Sequence, residues 1–280
     1  MLLSLSVRVA EDFKVKDRSN MPFAELARMA ARLGYDALCM RASQASVDTP
    51  PARVRRMRAL LDELGLGVTM VTGDVSLAAN DSHATRALGD IGPYLDLAEA
   101  FGAPLVRVML QRPEDLPYAT NAAEKAAARG LKLAHQMHIG TLFETVDEAL
   151  DLAGRIGTKG FGITYEPANM MACGQDWGPP AIGRLFPFLV NVYLQNQRLD
   201  PGGATELRRR EGVVRVANLP LDAPGGVDFS VVFEGLKRAG YQGPVTVHQA
   251  ALPGLPIEEA ARRYYEFLAP FVRGRIAGTS

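Results

Sequence analysis

The sequence predicts an α/β chain folded as a single (β/α)8 TIM barrel over residues 1–280, and three observations carry that expectation. Eight short segments alternate apolar with polar residues and are mostly separated by stretches of helical spacing, as a parallel βαβ series requires. The length is typical of one such barrel. No GxGxxG follows the first strand and no GxxxxGK[ST] occurs, so the runner-up, a doubly wound open sheet, loses its nucleotide-binding support.

The elements follow in order. Residues 2–9 alternate, with Leu3, Leu5, Val7 and Val9 on one face and Ser4, Ser6 and Arg8 on the other. A polar connector over 11–20 leads to a helix over 22–33, stopped by Gly34. The second strand is 35–41. Pro50 and Pro51 open a helix that runs to Leu64, and 68–72 is the third strand. Residues 83–101 read as a helix broken near Gly92 and Pro93. A fourth strand over 104–110 and a helix over 114–129 precede LKLAHQMHIGT at 131–141, a buried strand running into a turn. A helix over 146–156 follows. Strands six, seven and eight are 161–166, 189–195 and 244–248, and helices over 227–239 and 256–272 complete the pattern. Residues 199–224 are expected to be a long irregular loop over the barrel mouth.

Composition narrows the function. Lys plus Arg equals Asp plus Glu at 31 each, so nothing global attracts nucleic acid or an anionic membrane. The clusters Arg53, Arg55, Arg56, Arg58 and Arg208–Arg210 read as solvated faces. Two cysteines, Cys39 and Cys173, form no CxxC pair, which argues against a disulfide framework or a structural zinc. The start MLLSLSVRVAED is too short and too soon charged for a leader or spanning helix, so a cytoplasmic protein without a membrane partner is expected. No GxSxG elbow occurs, and Cys173 reads as a packed thiol.

In a barrel the apolar parity faces the helices and the other fills the interior. That second set is Arg8, Arg41, Arg107, Gln136, His138, Glu166, Tyr193 and His248, mostly near carboxyl ends of strands, where active sites of this fold lie. Buried without partners, such groups would cost several kcal/mol or more, so they need each other, water, a metal or a ligand. Three arginines against one strand-end carboxylate point to a small anionic sugar or keto acid, although loop carboxylates such as Asp12 or Asp74 are alternative partners. His135 has the opposite parity and should face the helices; His83 should be exposed.

The chain also resembles the xylose isomerase-like TIM barrels, the sugar-phosphate isomerase/epimerase superfamily. LKLAHQMHIGTLFETVDEAL is similar to that family's LxLENHPGT segment and the helix after it, and FGITYEPANM to its GLxxDPAN. LVNVYLQNQR is similar to VHVHLKD, and VDFSVVFEGLKRAGYQGPVTVHQ to the closing VDFxxVFxxLKxxGYxGxxSxE. The resemblance implies a divalent ion held by Glu, Asp, His and Glu at strands five to eight, and a homodimer. Those four positions hold Gln136, Glu166, Tyr193 and His248 here. Hard cations favour oxygen-rich anionic cages, so Mg²⁺ and Ca²⁺ should bind weakly. Gln136, Glu166 and His248 leave open a site for Zn²⁺, Mn²⁺, Fe²⁺ or Co²⁺, or no metal at all. The two glutamates that serve the family as acid and base are both replaced.

What remains for proton transfer is Glu166, His248 and Tyr193, with Arg8, Arg41, Arg107, His138, Asn169 and Asn196 as substrate contacts. The expected activity is isomerisation or epimerisation of a small anionic carbohydrate or keto sugar acid. A lyase, dehydratase or decarboxylase, is the alternative on the same residues. A non-catalytic member that binds a sugar-like ligand or a partner protein is a third reading, and the neutral net charge counts against the apurinic endonuclease branch.

Overall fold

The computed structural model describes residues 1–12, 15–157 and 159–274, so two residues of the expected 11–20 connector lie outside it. β1 (Leu2–Ser6) leads through a 3-10 turn at Val7–Ala10 to α1 (Phe23–Leu33), β2 (Ala37–Arg41), α2 (Pro51–Glu63) and β3 (Gly67–Thr72). Three helices follow, α3 (Val75–Ala79), α4 (Arg86–Gly89) and α5 (Gly92–Phe101), then β4 (Leu105–Val108), α6 (Leu116–Ala128), β5 (Lys132–Gln136), α7 (Val146–Ile156) and β6 (Phe161–Tyr165). α8 (Pro167–Ala172) and α9 (Pro179–Leu185) precede β7 (Leu189–Leu194). Then come β8 (Gln197–Leu199), β9 (Thr205–Arg208), β10 (Val213–Asn218), α10 (Phe229–Arg238), β11 (Pro244–Val247) and α11 (Ile257–Arg273). β1 to β7 and β11 close an all-parallel barrel in which β11 lies between β7 and β1, as the sequence predicts.

Side-chain parity builds two layers. Leu3, Leu5, Val106, Leu133, Ile163, Val192 and Val245 are fully buried between strands and helices. Each such aliphatic side chain contributes about 1.5–3 kcal/mol. A smaller inner cluster of Cys39, Met70, Leu105, Ala134 and Tyr193 fills the barrel, beside the buried polar pairs Ser4–Thr69 at 3.1 Å and Thr246–Asn191 at 3.2 Å. The helices end where their sequence says: α1 at Gly34 with φ +94°, and α7 begins at Thr145, whose hydroxyl accepts from the Glu148 amide.

Three expectations change. The first strand stops at Ser6, because the Ser6 hydroxyl accepts from the Arg8 amide and starts the 3-10 turn. A helix that was not expected, α3, precedes the stretch 83–101; that stretch is itself broken next to Gly92 and Pro93 as expected, into α4 and α5, with Pro93 in the first turn of the second. The irregular loop over 199–224 contains most of a three-stranded antiparallel sheet in the order β8-β10-β9, with turns over 200–204 and 209–212 and an irregular stretch over 219–224. Sequence patterning hid it because its strands are three to six residues long and mostly exposed, so hydrophobic alternation has little to sort.

That small sheet is tied to the barrel at its turn. The Arg210 amide donates to Glu144 Oε1 at 2.9 Å, and its guanidinium donates to both Glu148 oxygens at 2.5 and 2.6 Å. Arg210 and Glu148 are solvent-accessible, so the pair adds at most about 1 kcal/mol to global stability but fixes the turn locally. Arg210→Ala should leave the denaturant midpoint nearly unchanged while speeding protease cleavage within residues 200–213, read by limited proteolysis and mass spectrometry.

Candidate active site

A cavity of about 280 Å³ opens at the carboxyl end of the barrel strands. Arg8, Arg107, Gln136, His138, Asn169 and His248 line it, all singled out by sequence parity or by family resemblance. Lys16, Asn80, Gln195, Gln197, Asn218 and Gln249 line it too and were not foreseen. Thr205, Leu207 and Asn218 come from the small sheet, which therefore walls the mouth. Among the described residues no carboxylate lies in the lining, so the charged side chains there are cationic.

Arg107 leaves the end of β4 and is pinned. Its Nη1 donates to the Leu77 carbonyl at 2.7 Å and its Nη2 to Asn80 Oδ1. Asn80 caps α3 in the left-handed region, φ +57°, a conformation that asparagine tolerates better than most residues. Its Nδ2 donates to His138 Nε2 at 2.9 Å. The other ring nitrogen of His138 lies 2.7 Å from the Ile139 carbonyl, which can only accept, so Nδ1 carries the proton and Nε2 is bare. Burial, with Arg107 and Arg8 nearby, lowers His138 to about 3 and holds it neutral. Burial also lowers Arg107 to about 10, still charged at neutral pH.

Arg41 differs from the expectation. It is 1% exposed and does not line the cavity; its Nε donates to Glu11 Oε1 at 2.6 Å and its Nη2 to the Ala78 carbonyl at 3.0 Å. The partner is Glu11, neither Asp12 nor Asp74; the carboxylate stands three residues after Arg8, where the 3-10 turn brings it inward. Asn196 also serves the scaffold rather than the cavity. Its Nδ2 donates to the Ala223 and Pro220 carbonyls at 2.8 and 3.1 Å, and its Oδ1 accepts from the Val227 amide at 3.0 Å, fixing the loop before α10.

Glu166 and Tyr193 lie one layer beneath the cavity wall, both fully buried. Gln136 Nε2 donates to Glu166 Oε2, which leaves Glu166 Oε1 and Gln136 Oε1 buried without partners. Burial pushes Glu166 up to about 8, against the pull of Arg8, Arg107 and Arg41. The Tyr193 ring stacks on His248 with centroids 3.9 Å apart and planes 4° from parallel, and its hydroxyl meets Cys39 Sγ at 3.3 Å. Burial raises Tyr193 well above its ordinary value, so it stays neutral. His248 faces the cavity with Nδ1 buried and unpartnered; burial, with Arg8, Arg41 and Arg107, lowers its pKa well below the usual range. His135 faces the helices as expected, stacked on Phe143 and accepting from the Leu110 amide at 2.8 Å.

The profile of the family described as "Xylose isomerase-like TIM barrel" matches residues 27–270. The chain belongs to that family. Over 145 residues it is 25% identical to the inosose dehydratase of Geobacillus thermodenitrificans, covering 50% of this chain and 48% of that one. Over 135 residues it is 30% identical to the rhizopine catabolism protein MocC of Rhizobium meliloti, covering 46% and 39%. The chain thus matches half or less of the length of these curated relatives. The fold is shared with the probable 3-DHS dehydratase AsbF of Bacillus anthracis, with TM-score 0.71, 15% identity and coverage of 96% and 99%. It is shared also with a xylose isomerase-like TIM barrel protein of Mycobacterium smegmatis in complex with magnesium, with TM-score 0.70, 18% identity and coverage of 99% and 98%.

A metal of the family kind does not fit the residues present. Among the described residues no three His, Cys, Asp or Glu side chains group so as to hold an ion. Gln136, Glu166 and His248 offer one carboxylate, and it is fully buried, tied to an amide and close to its neutral form. Three guanidiniums surround it, and their charge opposes any divalent cation. Among the described residues no helix is long and apolar enough to cross a membrane.

The buried groups make stability depend on pH in two opposed ways. Glu166 has its pKa raised from 4.5 to about 8, so the folded chain keeps a proton that the unfolded chain loses, and stability falls as pH rises through that window. His135 and His138 fall from 6.5 to about 3, so stability drops instead as pH falls below 6.5. Above pH 7.5 Lys16, lowered from 10.5 to about 8, opposes the Glu166 contribution; between pH 6.5 and 7.5 the Glu166 contribution dominates. Glu166→Gln should flatten the decline in urea midpoint that the unsubstituted chain shows there.

Proposed function

We propose that this protein is an isomerase or epimerase of a small anionic carbohydrate, a sugar acid or keto sugar acid, and that His248 moves the proton. The carrying observation is a neutral imidazole on the wall of a cavity whose charged lining, among the described residues, is cationic; its Nδ1 is buried, so Nε2 is the nitrogen left to meet a ligand. His248 accepts a proton from the carbon beside the substrate carbonyl, and the electron pair moves onto the carbonyl oxygen. Arg8 and Arg107 stabilise the resulting enediolate. A proton passes from the hydroxyl on the adjacent enediolate carbon to the former carbonyl oxygen, and the imidazolium returns its own proton to the carbon that held the carbonyl, which leaves the carbonyl one carbon along and completes an isomerisation. For epimerisation, His138 is the other histidine on the wall. Glu166 and Tyr193 act from beneath: Glu166 holds the Gln136 amide, and the Tyr193 ring fixes the plane of His248. No step in this sequence draws on a metal.

A dehydratase is the second reading, supported by the half-chain similarity to inosose dehydratase. Its first step is the same. The enolate then expels a hydroxyl from the next carbon, and the imidazolium protonates it to water.

Anionic keto sugars incubated in D2O should incorporate deuterium beside the carbonyl, followed by proton NMR. His248→Gln should slow that exchange about 10²-fold or more. An isomerase leaves product mass unchanged apart from deuterium, whereas a dehydratase yields a product lighter by one water. Equal exchange in both chains, or exchange confined to neutral ketoses, would end this reading.

A further inference from the structure

The inner end of the cavity buries more positive charge than negative. Arg41 lies close enough to Arg8 and Arg107 to lower the pKa of each, and Glu166 is within the same field. One carboxylate, Glu11, pairs with Arg41. Among the described residues, neither Arg8 nor Arg107 has a carboxylate within ion-pair distance. Each guanidinium also keeps one buried N–H without an acceptor: Arg8 Nε, Arg41 Nη1 and Arg107 Nε. Buried donors left this way are costly, and charged ones most of all.

These side chains are held in place rather than free to swing out. Arg41 and Arg107 are anchored by consecutive carbonyls, Ala78 and Leu77, and Asn80 completes the bracket. Arg8 Nη1 reaches Gln195 Oε1 at 3.4 Å. Lys16 adds a further cation to the same wall, and Gln136, Asn169, Gln249 and His248 beside it are neutral.

We propose that this centre has inverted its charge preference: where family resemblance puts a divalent cation, this chain binds a carboxylate-sized anion between Arg8 and Arg107, with Arg41 behind them, and needs no metal. The inference shares the cavity of the proposed function. It rests on that reading only for the anion being a substrate's carboxylate rather than a free small anion.

Titration calorimetry on the purified full chain in chloride-free buffer tests it, with formate, glucuronate and glucose as probes and with Mg²⁺, Mn²⁺ and Zn²⁺ in parallel. Formate and glucuronate should bind, glucose should not, and dialysis against each cation should leave well under one equivalent bound. Arg8→Gln and Arg107→Gln should each weaken anion binding at least 10-fold. Because Arg107 is buried, the half-buried Arg8→Gln and the anion-induced rise in Tm of the unsubstituted chain remain informative if Arg107→Gln does not fold. Glucuronate binding at least 10-fold tighter than formate upholds the anion centre and the sugar-acid reading together. Equal affinities uphold the anion centre and remove the sugar acid as its ligand. A stoichiometric divalent ion, or anion binding indifferent to both substitutions, overturns the proposal. It would leave deuterium exchange in keto sugars to judge the enzyme reading separately.

Discussion

Everything at the mouth of this barrel answers to a charge imbalance. Three guanidiniums are gathered where the parallel strands end, and a single full ion pair, Arg41 with Glu11, neutralises one of them. The neighbouring carboxyl group, Glu166, is so deeply buried that it favours its protonated form despite the arginines. The histidines respond in the opposite sense and shed their protons. The result is a set of neutral acid and base groups facing fixed positive charge. That arrangement favours developing negative charge in a bound molecule and opposes a bound cation.

The scaffold spends several polar residues on keeping that charge in place. The stretch 77–80 holds Arg107 and Arg41 by carbonyls and meets the bare nitrogen of His138 through Asn80, while the Ile139 carbonyl sets the tautomer. Asn196 organises the loop before α10, and Arg210 fastens the turn of the small sheet to Glu144 and Glu148. None of these need touch a ligand. They are the hydrogen-bonded supports without which long, flexible guanidiniums would lose their geometry to side-chain entropy.

Membership of the xylose isomerase-like family sets the frame, and the altered strand ends set the chemistry within it. An amide stands at one expected carboxylate position and donates to the carboxylate that remains, so the two are tied to each other although one oxygen of each stays unpartnered. The phenol in the third position lies flat against the imidazole in the fourth. Four positions that would converge on an ion have become two packed pairs, and the arginines supply positive charge in its place.

The barrel itself was legible in the sequence, because eight alternating strands and glycine-ended helices leave few ways to bury their apolar faces. Parity alone placed Arg8, Arg107, Gln136, His138 and His248 on the inner side and turned His135 outward. It could not say how deep each side chain sits: Arg41, Glu166 and Tyr193 share the inward face but lie below the cavity floor, since depth depends on strand stagger around the closed barrel. Asn80, Lys16 and the pairing of Arg41 with Glu11 escaped the sequence for another reason. They depend on short turns and capped ends that bring distant segments together, and hydrophobic periodicity carries no information about such contacts. The sequence thus determined which residues face inward, through the two-residue repeat of a strand. The tertiary structure decided which reach the cavity and which are consumed by one another, because only closure of the barrel fixes the distances on which charge and hydrogen bonding depend.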